Sequence, residues 1–377
     1  MEQRWKAMNW KEVYNRGIIN EGNAFRVHRV MNRAIHGESV KVAFIGGSIT
    51  AGAAATTPET CYAYLVYSWW RERFPNSRVE YINAGIGATT SKFGVARVED
   101  DVLKHQPDIV FVEFSVNDSE NELFQETFEG LIRKILLDPK EPAVFMFNNA
   151  FYDDGRNAQR IHNEVGRYYD LPIVSIKESI YTVIEAGTIC ATDISADNLH
   201  PNDFGHELVA GVITNLLEKL LDKTTDMRNE NNYIVPMQPL TKNRYYHSFR
   251  YNNLNTKPVL HGFVEDKEVK IDVWDVFREG WSGSEVGSSI YFEVEGTIIS
   301  VQYRKYAVHP APVAKLVIDR EEEKTVILDA NFDETWGDCL YLQDIRVDLA
   351  PGKHVVEITI MDEVPEKAFY LASVITA

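Results

Sequence analysis

From Lys41 to about Leu221, short apolar runs alternate with stretches of helical periodicity. The runs at 40–45, 79–82, 108–114, 143–147 and 171–176 are rich in Val, Ile and Phe and carry few polar interruptions, as strands buried on both faces do. Helical patterns at 62–73, 92–105, 125–137 and 156–169 fall between them, and another at 206–221 closes the series. Strand then helix, repeated, predicts an α/β unit: a doubly wound parallel sheet with helices on both faces. In such sheets reactive groups gather beyond the carboxyl ends of the strands. The residues before the first strand hold one probable helix at 23–34, read as a lead-in.

The texture changes after a polar, aperiodic stretch at 224–232, which reads as a linker. Strand-like segments at 269–274, 289–294, 298–303, 315–318, 325–328, 340–349 and 354–360 follow, separated by Gly, Pro, Asp and Asn with no helical pattern between them. About seven such strands predict an antiparallel β-sandwich. The expected division is a lead-in over 1–38, an α/β domain over 39–225 and a sandwich over 226–377. At 377 residues, two domains are also the default for length alone.

Composition narrows the function. Hydrophobic content of 45% and charged content of 25% describe an ordinary globular protein. A net charge of −17 disfavours nucleic acid or an anionic membrane as partner, since both need basic surface, and costs a neutral sugar nothing. The polar start, Met1 to Lys6, predicts no secretory signal, and no stretch approaches a membrane span. Cys61, Cys190 and Cys339 are few and widely spaced; they predict neither a disulfide framework nor a zinc site and fit a reducing cytoplasm. No His/Asp/Cys cluster has metal-ligand spacing, so neither metal nor cofactor is expected.

Three separated segments share one chemistry. Gly46-Gly47-Ser48-Ile49-Thr50 places a serine where the first apolar run stops. Ser115-Val116-Asn117-Asp118 places an amide after the third run, and Asp197-Asn198-Leu199-His200-Pro201 offers a carboxylate and an imidazole three residues apart before a helix. Serine, histidine, aspartate and an amide donor are the minimal set for acyl transfer through a serine ester. Ser48 is the candidate nucleophile, His200 its base and Asp197 the group that fixes the histidine tautomer. A serine in a glycine-rich turn is by itself turn chemistry, and an Asn-Asp pair by itself caps a helix. The common placement at strand ends raises all three above those readings. His105, His162 and His206 lack comparable sequence partners and read as surface or packing residues. Asp118 reads as a cap.

With Asn83-Ala84-Gly85-Ile86-Gly87-Ala88-Thr89-Thr90 as a fourth block, the chain resembles the SGNH (GDSL-type) hydrolases over roughly its first 220 residues. The resemblance implies a flavodoxin-like α/β fold and an oxyanion hole made by backbone N–H groups at Ser48 and Gly87 or Ala88 with the Asn117 amide. Two departures stand out: the family's Gly-Asp-Ser reads Gly-Gly-Ser, and its oxyanion glycine falls near Ala88. The Gly-Gly-Ser-Ile-Thr block, the lead-in Gly22-Asn23-Ala24-Phe25-Arg26 and the C-terminal sandwich together look like bacterial carbohydrate O-acetylesterases, among them cytoplasmic enzymes acting on imported manno-oligosaccharides. That resemblance implies an acetylated oligosaccharide as partner and a carbohydrate-binding-module-like second domain that roofs the site. Trp281 and Trp336, read as lying in Gly/Asp/Ser-bearing loops of the second domain, are the candidate sugar contacts, against the equally common reading of sandwich core. A homodimer is the alternative use of the second domain. The rival functions are an esterase, thioesterase or lysophospholipase for longer acyl chains, and a non-catalytic carbohydrate-binding protein.

Overall fold

In the structure, a computed structural model that describes residues 8–224, 232–269, 274–334 and 336–377, the chain divides into two units between Tyr246 and His247. The first is built on six strands: β1 (Ile18–Asn20), β2 (Val40–Gly46), β3 (Val79–Gly85), β4 (Ile109–Glu113), β5 (Ala143–Asn148) and β6 (Ile173–Ser175). Their order is β1-β6-β5-β4-β2-β3. The five predicted strands are parallel, but β1 adds an antiparallel edge beside β6, so the sheet is mixed. Three residues with an irregular register carry too little pattern for that edge to show in sequence.

The helices are α1 (Trp10–Arg16), α2 (Phe25–Ile35), α3 (Ser48–Ala51), α4 (Tyr62–Arg73), α5 (Ser91–Asp101), α6 (Glu122–Leu136), α7 (Gln159–Tyr168), α8 (Thr182–Glu185), α9 (Ala191–Ile194) and α10 (Asp203–Lys223). Val42, Phe44, Phe111 and Phe145 point from one sheet face into a core with α1, α2, α4 and α10. Ala43, Ile45, Val110 and Val112, equally buried, alternate with them and face the other way, toward α5, α6 and α7. Burial on both faces explains the unbroken apolar runs.

The expected division at 225/226 differs from the observed one. Residues 225–231, most of the expected linker, lie outside the described residues, and the segment after them belongs to the first unit. Glu129, fully buried on α6, accepts the N–H groups of Leu240 (2.5 Å) and Thr241 (2.7 Å) and the hydroxyls of Thr241 and Tyr169. Glu126 takes Arg244 through its backbone N–H at 2.7 Å and its guanidinium at 2.8 Å. A carboxylate buried this deeply is tolerable only with its oxygens satisfied, so this strap is an integral part of the α/β unit.

The second unit is two antiparallel sheets from β7 (Phe249–Tyr251), β8 (Val259–His261), β9 (Val264–Glu265), β10 (Trp281–Gly283), β11 (Ser289–Glu295), β12 (Ile299–Lys305), β13 (Val313–Ile318), β14 (Val326–Asp329), β15 (Cys339–Arg346), β16 (Lys353–Ile360) and β17 (Phe369–Thr376). One sheet runs β15-β12-β17-β10-β9, with β7 also on β17; the other runs β14-β13-β16-β11-β8. Val301, Tyr303 and Leu371 of the first share one core with Phe292, Leu316 and Ile358 of the second, which makes the unit a sandwich. Trp281 opens β10 instead of lying in a loop. It is fully buried, edge-on to Phe292 at 5.0 Å. The strand expected at 269–274 falls mostly on 270–273, outside the described residues.

Candidate active site

Register places the site. Gly46, the last residue of β2, pairs with Gly85 on one side and Glu113 on the other, so three neighbouring strands end at one level. Beyond that level come Ser48, the Gly87-Ala88 turn and Asn117. Gly47 is extended and leads directly into α3, which starts at Ser48. A β-carbon at Gly47 would lie 2.3 Å from Asn117 Oδ1, so only glycine lets the Asn117 amide rest against the backbone that carries Ser48. The residue that departs from the family's Gly-Asp-Ser spelling therefore has a steric reason here.

The Ser48 hydroxyl lies 2.9 Å from His200 Nε2, and His200 Nδ1 lies 2.6 Å from Asp197 Oδ2. The other Asp197 oxygen accepts the His200 N–H at 2.8 Å, the Leu199 N–H at 3.0 Å and the Ser195 hydroxyl at 3.1 Å. Partial burial pushes the Asp197 carboxyl up, but the hydrogen bonds from the His200 ring, the His200 N–H and the Leu199 N–H outweigh it and bring it to about 2. An ionised Asp197 accepts only, so the His200 proton sits on Nδ1 and Nε2 is left to accept from Ser48. Serine, histidine and carboxylate are thus in line, each within hydrogen-bond reach of the next.

The candidate oxyanion donors follow the ends of the same three strands. The first N–H groups of α3 have no partner inside the helix, and Asn117 presents its amide against Gly47. In the turn after β3, Ala88 has φ of 55°, the left-handed conformation that favours glycine. An alanine held there costs roughly 1 kcal/mol. Thr89 braces this turn by donating to the Ile86 carbonyl at 2.7 Å.

Three neighbours have fuller roles than their sequence context suggested. Asp118 caps α5, not the helix that follows it: Oδ1 accepts the Ser91 N–H at 2.9 Å and Oδ2 faces His162 Nε2 at 3.0 Å. His162, far from lacking a partner, is buried there and stacked on Phe128 at 3.7 Å. His206 is also buried; its Nδ1 accepts the Tyr62 N–H at 3.2 Å, and so Nε2 carries the proton donated to the Ala53 carbonyl at 3.1 Å. Burial lowers its pKa to about 4, so it is a neutral pin for the loop after α3. Trp281 is withdrawn as a sugar contact, because a fully buried ring offers no face. Trp336 is 57% exposed, with Phe332 edge-on at 5.2 Å. Among the described residues no group of three or more His, Cys, Asp and Glu side chains has the arrangement to hold a metal ion, and no helix is long and apolar enough to cross a membrane.

Residues 44–208 match the model of the GDSL-like lipase/acylhydrolase family. The chain belongs to that family, and it is a carboxylic ester hydrolase by class. Over 96% of its length it is 48% identical to a two-domain esterase (CEX) active on acetylated mannans, solved with mannopentaose, covering 97% of that chain with a TM-score of 0.90. A second structure of a two-domain esterase active on acetylated mannans gives the same identity, 98% coverage of its chain and a TM-score of 0.91. An acetylxylan esterase of Geobacillus stearothermophilus is 25% identical over 202 residues, 46% of this chain and 92% of that protein. Thioesterase 1/protease 1/lysophospholipase L1 of Escherichia coli strain K12 is 24% identical over 222 residues, 54% of this chain and 99% of that protein.

Proposed function

We propose that the protein removes O-acetyl groups from carbohydrate, acetylated manno-oligosaccharides foremost, through an acetyl-enzyme on Ser48. The observation that carries this reading is the 48% identity to an acetylated-mannan esterase across both units, sandwich included. In the proposed reaction Ser48 Oγ attacks the acetyl carbonyl while His200 Nε2 takes its proton. The N–H of Ser48, that of Gly87 or Ala88, and the Asn117 amide hold the developing oxyanion. His200 then returns the proton to the departing sugar oxygen, and a water deprotonated by the same nitrogen releases acetate. Asp197 holds the imidazole throughout. The free thiols Cys61, Cys190 and Cys339 fit a reducing compartment, where the substrates are oligosaccharides inside the cell. Acetate release from acetylated mannan, xylan and pectin fragments tests the substrate class; faster turnover of long-chain acyl thioesters than of any acetyl ester would favour the lipid-type reading.

The pH profile follows from the two carboxyl- and imidazole-centred bonds. Asp197, held at about 2, stays ionised through the acid range, so loss of kcat/KM on acidification is not expected to involve a second proton taken by this carboxylate. Stability moves in the same direction for a separate reason. With His206 held at about 4 in the fold, the unfolded chain takes up that proton first, and stability falls as pH drops from the ordinary histidine range toward 4. Circular dichroism alongside kcat/KM separates the two; an acid limb requiring two protons with the fold intact would contradict this assignment.

A small acetyl group gives little to select by, so selectivity has to come from the sugar. The exposed Trp336 ring is the proposed sugar contact of the sandwich unit. Trp336→Ala is expected to reduce kcat/KM on acetylated oligosaccharides by about tenfold more than on an aryl acetate. Equal losses on both, in a folded protein, would remove it from substrate binding.

A further inference from the structure

We infer that the turn Phe151 to Arg156, on the α/β unit itself, is a subsite for a sugar ring neighbouring the acetylated one. The inference rests on the carbohydrate reading above and adds to it a location. The turn follows β5 at the reactive edge of the sheet and is tied on both sides to the candidate catalytic loops. The Tyr152 N–H donates to the Asn198 carbonyl at 2.7 Å, in the loop between Asp197 and His200. The Ala158 N–H donates to the Ser115 carbonyl at 2.7 Å, two residues before Asn117. In the proposed reaction the departing sugar oxygen must lie at His200 Nε2 to receive its proton. The sugar therefore extends on the His200 side of Ser48, and this turn is bonded to that loop.

The turn presents a flat guanidinium. Arg156 stacks on Phe151 at 3.7 Å from the ring centroid and bonds Asp154 Oδ2 through Nη1 at 2.7 Å. Its side chain is 56% exposed, and those of Asp153 and Asp154 are 44% and 50% exposed. Stability does not explain the arrangement, since exposed pairs of this kind contribute about 0–1 kcal/mol. The backbone already fixes the turn: Phe151 N–H to Arg156 O at 3.2 Å, Gly155 N–H to Phe151 O at 3.0 Å, and Gly155 with φ of 67° packed where a β-carbon would meet the Tyr181 ring at 2.5 Å. What remains exposed is a planar donor fork beside two carboxylates, a set that bonds vicinal hydroxyls of a neutral pyranose by charge-assisted hydrogen bonds. Because the fork is held flat before the ligand arrives, little rotamer freedom is lost on binding.

The test compares kcat/KM for acetylated mannotetraose and for 4-nitrophenyl acetate in the wild-type and Arg156→Ala proteins, with melting temperature as the fold control. The ratio of the two values is expected to fall by about tenfold in the variant, through KM for the oligosaccharide. If the alanine protein melts early, Arg156→Lys serves the same purpose: it keeps the charge but not the fork, and the same fall in ratio is expected. A ratio that falls less than about threefold in a folded variant overturns the subsite. Failure of the carbohydrate reading itself shows in a different place, as wild-type protein that cleaves the aryl ester and leaves acetylated mannotetraose intact.

Discussion

Ser48→Ala is expected to lower kcat on acetyl esters by at least about 10³-fold while the protein stays folded. The two halves of that statement have separate grounds. Among the described residues the Ser48 side chain bonds His200 Nε2, and α3 is closed by backbone bonds from Ala51 to Gly47 and from Gly52 and Ala53 to Ser48, none of which needs the hydroxyl. Alanine is a good helix residue at this position, so the turn should form unchanged. The nucleophile is nevertheless gone, and what remains is whatever the oxyanion donors and substrate binding supply to attack by water. Turnover of an aryl acetate and an acetylated oligosaccharide, with circular dichroism on the same sample, checks both halves. Near-parental turnover would remove Ser48 from the mechanism.

Asn117→Ala is expected to cost about 10²-fold, mostly in kcat. Asn117 Oδ1 is buried and has no hydrogen-bond partner among the described residues, so truncation breaks no bond there through that oxygen. The amide lies against Gly47, one residue before Ser48, and its proposed role is to donate to the oxyanion as charge develops. A bond that strengthens only as the oxyanion forms changes kcat and leaves KM nearly still. Asn117→Asp is the sharper companion, because it places an anion where a donor is needed and keeps the size. A folded Asn117→Ala protein whose loss lies wholly in KM would assign the amide to substrate binding.

The difference between what the chain spells and what only the fold reveals follows from local physics. Runs such as Val42-Ala43-Phe44-Ile45 are legible because parallel strands covered on both faces have no polar alternation to confuse them. β17, Phe369–Thr376, is just as buried along its whole length but is not legible as a strand. Its run includes Ala372 and Ser373, breaking the aliphatic texture, and it sits in a region where the other strands alternate, as β16 does from His354 to Ile360. The strap through Leu240, Thr241 and Arg244 was illegible because its bonds are to Glu126 and Glu129, more than a hundred residues earlier, and no local pattern records such a pairing. Trp281 shows the same blindness from the other side: a tryptophan between glycines looks like a loop platform until the opposite sheet supplies Phe292.

The candidate site was more legible than its supports. Asp197 and His200 are close in sequence, so their pairing needs only a tight loop, and Ser48 and Asn117 are marked by the ends of apolar runs. The Asp118–His162 pair spans 44 residues and the His206–Ala53 bond 153, and both depend on how helices pack on the sheet. Ala88 is instructive in a third way. Its left-handed φ is enforced by the turn against the residue's own preference, which is why a glycine-to-alanine departure was visible while its tolerance was not.

The most direct test of the central claim is to quench the wild-type protein during turnover of acetylated mannotetraose and map its peptides by mass spectrometry. An acyl-enzyme mechanism predicts the mass of one acetyl group on the peptide bearing Ser48, absent from Ser48→Ala and from protein without substrate. Acetate released at the wild-type rate with the acetyl group trapped on another side chain, or undiminished release from the Ser48→Ala protein, would contradict it.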